Sequence, residues 1–166
     1  MKRIKLTKRM QAIADLIETD SSVADIGTDH GYLSVYLAQN HKVTRIIASD
    51  ISPASLKAAY RSAYEYDVTD SIEFIAAPGL AHITPGDVDT IIIAGMGGET
   101  ILGILKDAPW TNSSKITIII QPQSKIDLLC RFLYDSGYKI NKTKTVVDKG
   151  KRYTIILTTG NVEEEK

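Results

Sequence analysis

Residues 23–38 read VADIGTDHGYLSVYLA. An apolar run ends in Asp25-Ile26-Gly27, a short polar turn follows, and a new apolar pattern begins at Tyr32. That order constrains the chain to a strand, a glycine turn and a helix. Doubly wound α/β proteins seat nucleotide-like cofactors at this turn. The next apolar run closes on Asp50. A carboxylate there is placed to accept hydrogen bonds from the hydroxyls of a ribose. Read alone, Asp50 serves equally well as a cap or turn residue ahead of Ser52-Pro53.

The same alternation runs on down the chain. Apolar patterns place strands at 22–27, 44–49, 71–76, 88–94 and 116–120. Helical spacing falls at 31–39, 53–66, about 98–108 and 124–135, with Ser52 as cap and Pro53 at the first position of the second of these. Ahead of the first strand, Met10, Ile13, Ala14, Leu16 and Ile17 recur at helical spacing within 7–18, and Thr7 is the expected N-cap. Runs 138–147 and 152–159 flank Asp148-Lys149-Gly150-Lys151 and predict an antiparallel hairpin. The continuous runs TIIIA and ITIII suit strands buried on both faces. The fold class is therefore α/β and Rossmann-like, a seven-stranded, mostly parallel sheet with helices on both faces and a C-terminal antiparallel hairpin. A dinucleotide oxidoreductase would continue with further strand–helix units. Seven strands ending in a hairpin resemble the sheet of class I methyltransferases.

A length of 166 residues fits one domain with a substantial core. Residues 1–160 are read as that domain, N-terminal helix included, and 161–166 as an acidic tail. No apolar run approaches the roughly 20 residues of a membrane span, and the basic start MKRIKLTKRM lacks the apolar stretch of a signal peptide. A single cysteine, Cys130, at an apolar helical position and read as a core residue, rules out a disulfide framework and fits a reducing compartment. The expectation is a cytoplasmic monomer with no membrane contact and no metal. The formal net charge is zero, yet Lys2, Arg3, Lys5, Lys8 and Arg9 crowd the start and six cations crowd 139–152. These blocks describe either a polyanion-binding face or two solvated faces.

The chemistry lies in the turn. Dinucleotide-binding turns use glycines so that backbone and helix N-terminus can hold a pyrophosphate. Here the pattern is Asp25-x-Gly27-x-Asp29-x-Gly31, with an acid leading and another in the middle. Two carboxylates repel a diphosphate and suit the sulfonium and ammonium of S-adenosylmethionine. Asp29 in place of a glycine is also what disfavours an oxidoreductase. A structural turn with a capping acid is the simpler alternative. After the third strand, Pro78-Gly79-Leu80 falls beside the expected adenine position, with Ile51 or Leu80 to sandwich the ring. The fourth strand ends in Ala94-Gly95-Met96-Gly97-Gly98, where glycines let a flat base approach the backbone. A tight turn with a core methionine explains the same residues. His30 is read chiefly as a structural hydrogen-bonder, His41 and His82 as surface residues, and Trp110 as a loop anchor or a base-stacking group.

Taken together, KLTKRMQAIAD (5–15), ADIGTDHGYL (24–33), VDTIIIAGMGGETI (88–101) and IIIQPQS (118–124) resemble the bacterial tRNA (adenine(22)-N1)-methyltransferase family over essentially the whole chain. The resemblance implies a class I fold, S-adenosylmethionine as donor and tRNA as partner, with methylation of N1 of adenine. It places Asp25, Gly27, Asp29, His30, Gly31, Asp50, Ile51, Pro78, Gly79, Leu80, Ala94 and Gly95 at the cofactor. Asp29, Gly95, Met96 and Gly97 fall at the reacting base, and Lys5, Lys8 and Arg9 at the RNA. Three departures stand out. Pro78 replaces the family's Asn or Asp, Gln123 replaces the Asn of its Gln-Pro-Asn, and the family's C-terminal coiled-coil domain is expected to be lacking after the hairpin. A small-molecule or protein methyltransferase and a noncatalytic RNA-binding module are the alternatives.

Overall fold

The computed structural model describes residues 2–163; the rest of the acidic tail, Glu164 to Lys166, lies outside the described residues. The strands are β1 (Ser21–Ile26), β2 (Val43–Asp50), β3 (Glu73–Ala76), β4 (Thr90–Met96), β5 (Thr117–Pro122), β6 (Lys139–Asp148) and β7 (Lys151–Thr159). The helices are α1 (Lys8–Asp15), α2 (Tyr32–Gln39), α3 (Pro53–Glu65), α4 (Gly98–Lys106) and α5 (Ile126–Asp135). One seven-stranded sheet runs in the order β3-β2-β1-β4-β5-β7-β6. Its neighbours are parallel except around β7, which is antiparallel to both β5 and β6. Reversing β7 alone leaves β6 parallel to β5, so the hairpin tip sits at the carboxyl end of the sheet.

The continuous apolar runs divide by the pleat. Ile92, Ile119 and Ile155 join α1 and α2 in one core layer. Ile91, Ile93, Ile118 and Ile120 join α4 and α5 in the other. Alternate residues thus face opposite layers, and each fully buried aliphatic side chain contributes about 1.5–3 kcal/mol. A polar strap completes the first layer. Gln39 is buried; its Oε1 accepts the Ile4 N–H at 2.8 Å and its Nε2 donates to the Lys2 carbonyl at 2.7 Å. Both ends of that amide are satisfied, so burial carries no unpaired polar group.

The element boundaries follow local chemistry. Thr7 caps α1, its Oγ1 accepting the Met10 N–H at 3.3 Å, and Ser52 caps α3 by accepting the Ser55 N–H at 3.2 Å. Helix α1 ends short of the expected residue 18 because the Leu16 and Ile17 N–H groups fold back on the Ile13 and Ala14 carbonyls, three residues earlier. Strand β4 starts two residues late because Asp89 is held by Ser22, its N–H donating to the Ser22 carbonyl and Oγ. Helix α5 starts two residues late because Lys125 takes a left-handed φ of 54°. Cys130 is a partly exposed thiol rather than a core residue, pushed above its usual pKa by partial burial and by Asp127. Trp110 lies in a 3-10 turn, packed partly against the second layer. His41 and His82 are exposed. Among the described residues no helix is long and apolar enough to cross a membrane.

Candidate functional site

The first turn is built from behind by Asp25. Its side chain is buried, and its Oδ2 accepts the Thr28 hydroxyl at 2.9 Å and the Ser34 hydroxyl at 2.8 Å. One carboxylate therefore ties the end of β1 to the turn and to the first turn of α2. Burial pushes the Asp25 carboxyl above the usual range; the two hydroxyls oppose that, and the charge of Asp50 adds to it. The Gly27 and Thr28 N–H groups both donate to the Ser49 carbonyl, at 2.8 and 3.0 Å. Gly27 and Gly31 take φ values of 70° and 72°. A Cβ at Gly31 would stand 2.9 Å from Ala59 Cβ, so that glycine lets α2 and α3 converge.

Asp50 joins two loops. Its Oδ2 accepts the Asp29 N–H at 3.0 Å and its Oδ1 accepts the Ser52 N–H at 2.9 Å. Each oxygen keeps a further lone pair for an outside donor such as a ribose hydroxyl. The clasp holds the backbone of Asp29 (φ 54°) and leaves Asp29 and His30 exposed at the rim. His30 stacks on Tyr32, the ring centroids 5.4 Å apart and 17° from parallel. Ile51, directly after the clasp, is 71% exposed. The other apolar side chain expected at the adenine, Leu80, is 5% exposed and packs into the second core layer. Between them Pro78 is exposed, Gly79 backs onto Ile104, and the Ala77 N–H donates to the Asp50 carbonyl at 3.2 Å.

At the end of β4 the register against β5 shifts between Ala94 and Met96, so Gly95 is a bulge residue with φ 80°. The bulge turns Met96 toward the first turn, where its Cε lies 2.3 Å from the point a Cβ on Gly27 would occupy. Gly97 and Gly98 also lie close against a protein neighbour. A Cβ on Gly97 would meet Ser124 Oγ at 3.0 Å, and one on Gly98 would meet the Ser124 and Lys125 carbonyls at 2.5 and 2.6 Å. The Gly98 N–H donates to that Ser124 carbonyl at 2.9 Å. These two glycines seat α4 on the loop between β5 and α5.

The three expected RNA contacts separate. Lys5 and Lys8 are exposed along a groove between α1 and β6 that also includes Lys144. Arg9 turns inward to the carboxyl end of β5. Its Nη1 donates to the buried Gln121 Oε1 at 2.6 Å, and its guanidinium lies over the Tyr153 ring, 5.4 Å from the centroid. Its backbone N–H donates to Asp148 Oδ2 at 3.3 Å. The basic block of 139–152 is spread along β6 and around the hairpin tip. Lys139 lies at the amino end of the sheet; Lys149, in the turn, and Lys151 and Arg152, at the start of β7, lie at the carboxyl end. Thr28, Gln121 and Gln123, which fall within segments that carry the resemblance but were given no role there, also belong to this region, as do Ser34 and Tyr153, which lie in no motif. Gln121 and Gln123 are marked in sequence by the Gln-Pro-Gln at the end of an apolar strand.

The donor set tests which cofactor fits. The segment from Ser21 to His41 holds Asp25 and Asp29 and no Lys or Arg, and the neighbouring clasp is a third carboxylate. A diphosphate finds no cation there; a sulfonium with an ammonium finds carboxylates, a ribose finds Asp50, and an aromatic ring finds Ile51. The residues present fit S-adenosylmethionine. Among the described residues no group of three or more His, Cys, Asp or Glu side chains is disposed to hold a metal ion.

This sheet, with only β7 reversed, and this acid-rimmed first crossover place the protein in the class of Rossmann-like methyltransferases. The chain belongs to the methyltransferase domain family, whose model matches residues 6–156. It is 32% identical over 157 residues to the tRNA (adenine(22)-N(1))-methyltransferase of Bacillus subtilis strain 168, covering 95% of this chain and 66% of that protein. It thus spans slightly under two thirds of the length of that relative. The crystal structure of the B. subtilis m1A22 tRNA methyltransferase superposes with a TM-score of 0.89 at 32% identity, covering 96% of this chain and 68% of that one. The M. capricolum TrmK, solved in complex with the natural cofactor product S-adenosyl-homocysteine, gives a TM-score of 0.83 at 30% identity, covering 97% and 72% of the two chains.

Proposed function

We propose that the protein transfers a methyl group from S-adenosylmethionine to N1 of an adenine in tRNA, at position 22. The observation that carries this reading is the Asp50 clasp, one carboxylate fixing both loops around a turn that holds acids and no cation. The relatives named above supply the acceptor. When bound, S-adenosylmethionine supplies an electrophilic methyl group on a sulfonium, which leaves as the neutral thioether. In this reading Asp50 accepts the ribose hydroxyls, Ile51 covers one face of the adenine ring, and the exposed carboxylate of Asp29 faces the cationic end. Gly27, His30 and Gly31 shape the turn, Pro78 and Gly79 border the ring, and Asp25 holds the turn from behind. Ala94, Gly95, Met96 and Gly97 border the acceptor.

The N1 lone pair of adenine is already nucleophilic, so attack requires no strong base. The methylated base is a cation, and Asp29 is the exposed carboxylate nearest the turn available to stabilise it. N1 lies on the Watson–Crick edge, so the target nucleotide must leave its stack. Lys5 and Lys8 stand outside the cleft, where they meet phosphates. The test is transfer of labelled methyl to unmodified tRNA. Asp29→Ala is expected to lower turnover roughly 10²-fold while donor affinity changes far less. Normal turnover in that variant removes Asp29 from the chemistry.

A further inference from the structure

We infer that Gln123 is the residue that distinguishes adenine from guanine at the acceptor, by pairing with the N6/N7 (Hoogsteen) edge of the target base over Gly95. This rests on the reading of the chain as an adenine-N1 methyltransferase and names the residue that selects its substrate.

The geometry starts with the bulge. Gly95 has no side chain and lies at the carboxyl end of β4, flanked by Ala94 and Met96. The atoms nearest the point its Cβ would occupy are Gln123 Nε2 at 3.7 Å and Arg9 Nη1 at 3.8 Å. That open position is thus walled by a carboxamide and a guanidinium. The two groups differ in freedom. Arg9 Nη1 already donates to Gln121 Oε1, and its guanidinium lies over Tyr153, so it acts as a fixed wall. Gln123 is exposed, while its backbone is pinned by an N–H donated to the Met96 carbonyl at 2.8 Å. A carboxamide on an anchored backbone beside a bulge glycine is placed to read a base edge.

Reaction at N1 decides which edge it reads. The Watson–Crick edge must face the methyl donor, so recognition falls to the Hoogsteen edge. Adenine offers an N6–H donor and an N7 acceptor there, the bidentate complement of a carboxamide. Guanine offers two acceptors, N7 and O6, and its O6 would oppose the amide carbonyl.

The experiment compares a tRNA carrying adenosine at the target with one carrying 7-deazaadenosine, which lacks the N7 acceptor. Wild type and Gln123→Leu are each assayed for kcat/KM, and donor affinity is measured by calorimetry. Wild type is expected to lose about tenfold on 7-deaza substitution. Gln123→Leu is expected to lose a similar factor on the adenosine substrate, to show no further loss on 7-deaza, and to keep wild-type donor affinity. Gln123→Asn, which retains the amide, should recover part of the loss. An equal 7-deaza penalty in wild type and Gln123→Leu, or unchanged kcat/KM in Gln123→Leu, overturns the inference. If wild type binds the donor and methylates neither RNA, the adenine-N1 reading fails, and the inference fails with it.

Discussion

Asp25 shows how a single residue can be conspicuous in a motif and act out of sight. The sequence marks it as the leading acid of a cofactor turn. In the fold its Oδ2 serves Thr28 and Ser34, and its carboxyl is pushed up by burial. A carboxyl whose pKa is raised by folding binds its proton more tightly in the native state. Its stabilising contribution is therefore full below the ordinary Asp range, near pH 4, and is lost as pH rises through the raised value. Asp25→Asn keeps an oxygen that accepts both hydroxyls and has no charge to desolvate. The stability of wild type relative to this variant is expected to fall from pH 4 toward neutrality, read by urea unfolding across that range. Parallel curves would mean that Asp25 ionises in the fold as freely as in the unfolded chain. Asp50 is the opposite case. Alone it read equally well as a cap or as a ribose acceptor, and the structure has it accepting a cap-like Ser52 N–H while it also holds Asp29.

At the scale of elements, the glycines around the end of β4 divide between two tasks that one motif does not reveal. Gly95 opens the bulge beside Gln123, whereas Gly98 admits the backbone of the β5–α5 loop. Gly98→Ala places a Cβ 2.5 Å from a carbonyl oxygen and is expected to cost about 1–3 kcal/mol. Gly103→Ala, in the same helix with no atom within 4 Å of its Cβ, is expected to gain up to about 1 kcal/mol from helix propensity. Thermal unfolding of the two variants checks the pair; equal shifts would contradict the packing argument. All seven strands and five helices were legible from period and caps, because buried runs, Ser52-Pro53 and Thr7 signal locally. What was not legible is long-range. No local pattern shows that Arg9 meets Gln121 across 112 positions, that Leu80 turns into the core while Ile51 stays out, or that Lys125 takes a left-handed conformation and delays α5.

Over the whole molecule, strand order does what no single motif can. Placing β1 between β2 and β4 brings the Asp50 clasp, the first turn and the Gly95 bulge to one end of the sheet, and reversing β7 brings the hairpin tip to that end as well. The charge blocks of the sequence are redistributed by the same topology. The run 139–152 is laid out along the edge strand β6 and over the hairpin tip into β7, and Arg9 leaves the amino-terminal block to join Tyr153. The central claim is that this end of the sheet holds a sulfonium donor by carboxylates. Calorimetric titration with S-adenosylmethionine, with NAD as the competing ligand, tests it most directly. Saturable one-to-one binding of S-adenosylmethionine, lost in Asp50→Ala, with no heat from NAD, is the result predicted. Binding of NAD in its place, or S-adenosylmethionine bound equally well without the Asp50 carboxylate, would contradict the account.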